Sequence, residues 1–183
     1  NVKHLIDNGK HKTEIALRNI SWHSVDGSAS NNAIFGGIDF FCTNGMITGE
    51  FDTVRKKNTK NFDMRKFIDE IEKSVEEFYL TARKYQAWAT RDISLDNAKC
   101  VLESLPVADR SREKLLSIYQ QEATQRGATL WALYSAFTNY SSHTDNGFAI
   151  RQTVHDHEAQ TMLKREFEVA SWVQNEEFIR LAA

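Results

Sequence analysis

Six cationic side chains fall within one twelve-residue stretch: Arg55, Lys56, Lys57, Lys60, Arg65 and Lys66. Guanidinium and ammonium groups clustered this densely can neutralise a row of phosphate oxygens, as a nucleic-acid strand presents them. The stretch also leads into a helical segment, whose first backbone amides favour anions. The same charges could equally form a solvated face balanced by Asp63, Asp69, Glu70 and Glu72. Three rings, Phe35, Phe41 and Phe51, lie in apolar runs just before the basic stretch. Exposed rings beside a positive groove stack bases of a single strand, but rings in strands covered by helices belong to a core, and the core is the expectation for each of these.

His155-Asp156-His157-Glu158 carries metal-ligating side chains, with His143 and Asp145 nearby in the chain. On a helix, residues two apart point to different sides, so His155 and His157 would not share an ion there. Nothing else in the sequence carries a catalytic signature. The chain has no Gly-x-Ser-x-Gly elbow, no phosphate-binding P-loop and no dinucleotide glycine pattern. Ser24, Asp26, Ser28 and Ser30 form a polar turn that ordinary turn hydrogen bonds explain as well as an anion would. Cys42 reads as a small buried thiol. The acidic doublets Glu76-Glu77 and Glu176-Glu177 diverge on a helix and form no acid/base pair.

The elements that would position these groups divide in two. Lys12–His23 reads as a strand, with a change of apolar parity that predicts a bulge or strand end near Asn19. Ala33–Cys42 reads as a central strand, and Thr43-Asn44-Gly45 predicts a tight hairpin turn of positive φ leading into a partner strand over Met46–Arg55. Helical periodicity then runs from Phe62 to about Thr90, started by Asn61 or Asp63. Ser94 caps a helix through Leu105 that Pro106 stops, and a third helix over Asp109–Arg126 ends on Gly127. A short aromatic helix covers Thr129–Tyr140, and one or two more occupy Arg151–Leu181. The expectation is a single α+β domain over residues 1–183: an N-terminal three-stranded antiparallel meander packed by a long helix, followed by several helices.

The chain has 183 residues, 41% of them hydrophobic and 26% charged, which suits a folded domain with a core of its own. A net charge of -2 excludes a binder that works through bulk positive charge, so phosphate contact would need a local patch. Two cysteines suggest reduced thiols and a cytoplasmic setting. No apolar run reaches bilayer length, so no membrane is expected as a partner. The chain opens at Asn1 rather than methionine, as expected of a piece of a longer polypeptide.

Three stretches in order resemble a phage- and plasmid-encoded family labelled domain of unknown function 932. They are Asp26-Gly27-Ser28-Ala29, Phe41-Cys42-Thr43-Asn44-Gly45-Met46, and Leu130-Trp131-Ala132-Leu133-Tyr134-Ser135-Ala136-Phe137-Thr138-Asn139-Tyr140 followed by His143. Where the family pattern carries a histidine before Asp-Gly-Ser, this chain has Val25, with His23 two places upstream, so no catalytic or metal role is carried to that turn. The resemblance implies a mobile-element protein of the host cytoplasm, encoded near replication and recombination functions, and no established activity. The order of three strands and a long helix is also similar in outline to the core of phage single-strand annealing proteins.

The leading expectation is therefore a nucleic-acid-associated accessory protein. It would bind single- or double-stranded DNA through Arg55, Lys56, Lys57, Lys60, Arg65 and Lys66, with no cofactor and no catalysis. One rival is a metal-assisted hydrolase using His143, His155 or His157. The other is an interaction module whose helix Leu130–Tyr140 packs on a partner or on a second copy in a homo-oligomer.

Overall fold

The computed structural model describes residues 2–22, 31–41, 44–47, 54–56, 64–143 and 155–183. Among these residues five strands come first: β1 (Lys3–Asp7), β2 (Lys12–Trp22), β3 (Asn31–Asp39), β4 (Asn44–Ile47) and β5 (Val54–Lys56). All pairings are antiparallel, in the order β1-β2-β3-β4, with β5 also on β3 beyond the end of β4. Six helices follow: α1 (Met64–Ala89), α2 (Leu95–Ser104), α3 (Asp109–Arg126), α4 (Leu130–His143), α5 (His155–Trp172) and α6 (Glu176–Ala182). The class is α+β, strands before helices.

The sheet departs from the expected meander in three ways. It has five strands rather than three, because the short edge strand β1 precedes β2 and the run over Met46–Arg55 supplies two separate strands. The three-strand outline shared with annealing proteins therefore does not hold. No bulge interrupts β2 near Asn19: one register runs from Ile15↔Asp39 to Trp22↔Asn32. The parity change instead reflects apolar groups on both faces. Most consequentially, Asn44-Gly45 is not the turn. Asn44 pairs with Asp39, so the dipeptide opens β4.

Among the described residues, the Asn-Gly pair that turns the chain is Asn8-Gly9. Gly9 has φ 79°, which a side chain would strain. Asp7 Oδ1 accepts from the Gly9 amide at 2.8 Å, and Asn8 Oδ1 accepts from the His11 amide at 2.7 Å. The same loop reaches α3, where Asn8 Nδ2 donates to the Arg126 carbonyl at 2.7 Å. Gln86 of α1 closes the free edge of β1 by exchanging two hydrogen bonds with the Asp7 backbone.

The helical signals behave as their chemistry dictates. Ser94 Oγ caps α2 by accepting from the Asn97 amide, and α3 ends on Gly127 at φ 88°. α4 is buried from Leu130 through Thr138, the pattern of a helix surrounded by protein. Tyr85 and Trp88 of α1, Trp131, Tyr134 and Phe137 of α4, Trp172 of α5 and Phe178 of α6 pack ring to ring around it. Ile6, Ile15 and Met46 bring the inner face of the sheet to the same core. α4 is consequently the centre of this chain's own core.

Candidate functional site

The basic run brackets the step from sheet to helix. Arg55 and Lys56 belong to β5, where they pair in register with Asn32 and Asn31, and Arg65 and Lys66 stand in the first turn of α1. That turn reads Met-Arg-Lys-Phe and contains no acidic residue, the reverse of what the helix dipole favours at an N-terminus. Arg65 is exposed. Lys57 and Lys60 lie outside the described residues, as does Phe51.

At the other end of β3 the chain presents two rings to solvent. Phe40 and Phe41 are 49% and 50% exposed, which corrects the expectation that Phe41 is a core residue. The ring sits past the end of the strand, against the last residue of α3 and otherwise open to solvent. Phe35 is half-buried. Lys3 Nζ stands 5.0 Å from the centre of the Phe40 ring. Phe41 is gripped by the Arg126 guanidinium at 4.8 Å and by the edge of the His11 ring at 4.5 Å.

Beneath that turn is a buried ionic cluster. Arg126 reaches Asp39 Oδ2 with Nη2 at 2.8 Å and Glu122 Oε2 with Nε at 2.7 Å, all three residues being buried. The Thr13 hydroxyl donates to Asp39, and Asn139 Nδ2 donates to Glu122 at 3.2 Å. Charges removed from water in this way are tolerable only when paired and hydrogen-bonded, and these are. Beside the cluster, the Nε2 atom of His11 is buried and meets no hydrogen-bond partner among the described residues.

Burial holds the His11 imidazole below its ordinary value of 6.5, and the Arg126 charge adds to this while Asp39 and Glu122 oppose it. The unfolded chain therefore takes up this proton before the folded one does. Folding stability owed to neutral His11 is complete above about pH 6.5 and declines as pH falls from there through the folded-state value. Urea denaturation of the wild type and of His11→Phe, from about pH 8 to about pH 5, measures this. The variant is expected to lose less stability on acidification, and parallel profiles would refute the assignment.

The second half of the site is Asn44-Gly45. Asn44 is buried; its Nδ2 faces the Ser135 carbonyl and the Thr138 hydroxyl, each at 3.4 Å, and its Oδ1 lies 3.0 Å from His143 Nε2. The Gly45 amide donates to Ser142 Oγ at 3.0 Å. A Cβ at Gly45 would collide with the carboxylate of Glu166 and the guanidinium of Arg18. Those two side chains form a two-pronged ion pair joining β2 to α5 across the glycine. Nearby, the hydroxyls of Tyr85 and Tyr134 share a hydrogen bond of 2.9 Å, and burial raises both above the usual phenol range.

A family model described as Domain of unknown function (DUF932) matches residues 3–167. The chain belongs to the DUF932 family. It matches no curated protein and no solved structure. The matched span runs from β1 into α5, and so contains every member of the ionic cluster as well as Arg18 and Glu166.

Of the metal candidates of the DUF932 chain, His143 has a described side chain, whereas those of His155 and His157 lie outside what the structure describes. His143 ends α4 against Asn44, whereas His155 and His157 occupy the start of α5. Among the described residues no three His, Cys, Asp or Glu side chains are placed to hold an ion. Asp145, Cys42 and the polar turn over Ser24, Asp26, Ser28 and Ser30 lie outside the described residues. No helix among those described is long and apolar enough to cross a membrane. The residues that sequence reasoning missed are Lys3, His11, Arg18, Asp39, Phe40, Arg126 and Glu166. Only the Glu122–Arg126 spacing of four, on one helix face, offered a local signal.

Proposed function

We propose that this DUF932 protein is a nucleic-acid-associated accessory protein, of the phage or plasmid type, that binds DNA in the cytoplasm without catalysing a reaction. The observation that carries the reading is the arrangement of its basic run. Arg55 and Lys56 are built into a strand on β3, while Arg65 and Lys66 occupy a helical first turn that has no acid of its own. Cations at a helix N-terminus oppose the dipole by a few tenths of a kcal/mol to about 1 kcal/mol each, and a phosphate bound there would reverse that cost. Lys57 and Lys60 fall between these two anchors in the chain.

Fluorescence anisotropy with single- and double-stranded oligonucleotides across a salt series tests the reading. Affinity should fall as salt rises, and replacing Arg55, Lys56, Lys57 and Lys60 together with alanine should flatten the logarithmic slope by about 3. Absence of binding at low salt, or a slope that the fourfold variant leaves unchanged, would overturn it.

A further inference from the structure

We infer that Phe40 and Phe41 form a base-stacking platform and that the strand laid on it is single. The inference rests on the nucleic-acid reading above and adds to it a second contact, at the opposite end of β3 from the Arg55 and Lys56 pairing.

Two adjacent rings left half in water after a strand are costly in a turn that polar residues could have made. Their backs are nevertheless fixed. The Phe40 amide donates to the Glu14 carbonyl at 3.0 Å, and the Phe41 amide donates to Asp39 Oδ1 at 2.9 Å. The Phe41 ring rests on a guanidinium that is itself locked between two buried carboxylates. A ring held in place in this manner has little rotamer freedom left to lose on binding.

Charge around the rings suits a polyanion. Lys3 lies over Phe40, and the histidine that packs on Phe41 is flanked by the exposed Lys10 and Lys12. Lys3 and Lys12 are paired with Glu14 and Asp7, each at 2.8 Å. These ion pairs are exposed, contribute little to stability and open readily to a phosphate. Bases of a single strand offer free faces to a ring, whereas those of a duplex are already stacked on one another. Phosphate contacts alone would serve both forms.

The test compares a fluorescent oligothymidylate of about 20 nucleotides with a duplex of the same length, for wild type, Phe40→Ala and Phe41→Leu. Thermal unfolding of each variant verifies that it is folded. The expected result is a preference for the single strand that each substitution reduces by about tenfold, with duplex affinity unchanged. Equal binding of both forms that neither substitution alters would overturn the platform and leave the basic-run reading standing. Absence of binding to either form would remove both. Sedimentation that shows self-association abolished by Phe40→Ala would overturn the platform in favour of a contact between copies.

Discussion

Replacing Arg126 with alanine is expected to lower the unfolding free energy by about 3–5 kcal/mol, a large fraction of what holds a domain together. The guanidinium is completely buried and is the cation that Asp39 and Glu122 share. Its removal leaves two carboxylates in the interior whose hydrogen bonds, among them those from Thr13, the Phe41 amide and Asn139, come from neutral donors. Desolvation that was offset by a charge partner then stands alone. Volume loss is not the main term, and a second variant separates the two effects. Converting Arg126, Asp39 and Glu122 together to Met, Leu and Leu removes all three charges while filling the space, and it should cost far less than the single change. Urea denaturation followed by tryptophan fluorescence measures both. A penalty for R126A below about 1 kcal/mol, or a triple variant as unstable as the single one, would show that the cluster is not what ties the turn after β3 to α3.

That cluster also marks where the sequence stops being legible. Helix limits were readable because their signals are local: the Ser94 hydroxyl, the missing amide of Pro106 and the positive φ of Gly127 act on their own few residues. The strands of β2 and β3 followed from apolar content. β1 did not, since Lys3–Asp7 is a five-residue edge strand with only two aliphatic positions, and its stability comes from β2 and from Gln86 of a distant helix. Asn8-Gly9 and Asn44-Gly45 are locally indistinguishable. Asn8-Gly9 turns because Asp7 and Lys12 pair across it, whereas Asn44-Gly45 is drawn into β4 by pairing with Asp39 and by hydrogen bonds to α4. Phe41 carries the alternation of a strand, but burial depends on how much of the ring its neighbours cover, and Arg126 and His11 leave half of it in solvent. The partners in the site are remote along the chain: Arg18 and Glu166 are 148 positions apart. No window of sequence contains both, so no period or motif could announce their pairing.

Gly45 is the position where this remote pairing can be tested most sharply. Substitution by alanine adds a single methyl group, and at an ordinary β position that change costs little or even helps, because glycine weakens a strand. Here the methyl meets the Glu166 carboxylate and the Arg18 guanidinium, both held near the protein interior. Either β4 shifts away from its register with β3, giving up the Gly45 amide bond to Ser142, or the ion pair is forced apart. Overpacking alone costs about 1–3 kcal/mol, and a separated buried pair adds to it, so G45A is expected to destabilise the fold by about 3 kcal/mol or more. Glu166→Ala breaks the same pair from the other side and also opens the space into which the methyl would go. The two substitutions should therefore fall well short of additivity, with the double variant at least 1 kcal/mol more stable than the sum of the singles predicts. Penalties that add to within about 0.5 kcal/mol would mean that Gly45 is required for some reason other than the room it leaves for Arg18 and Glu166.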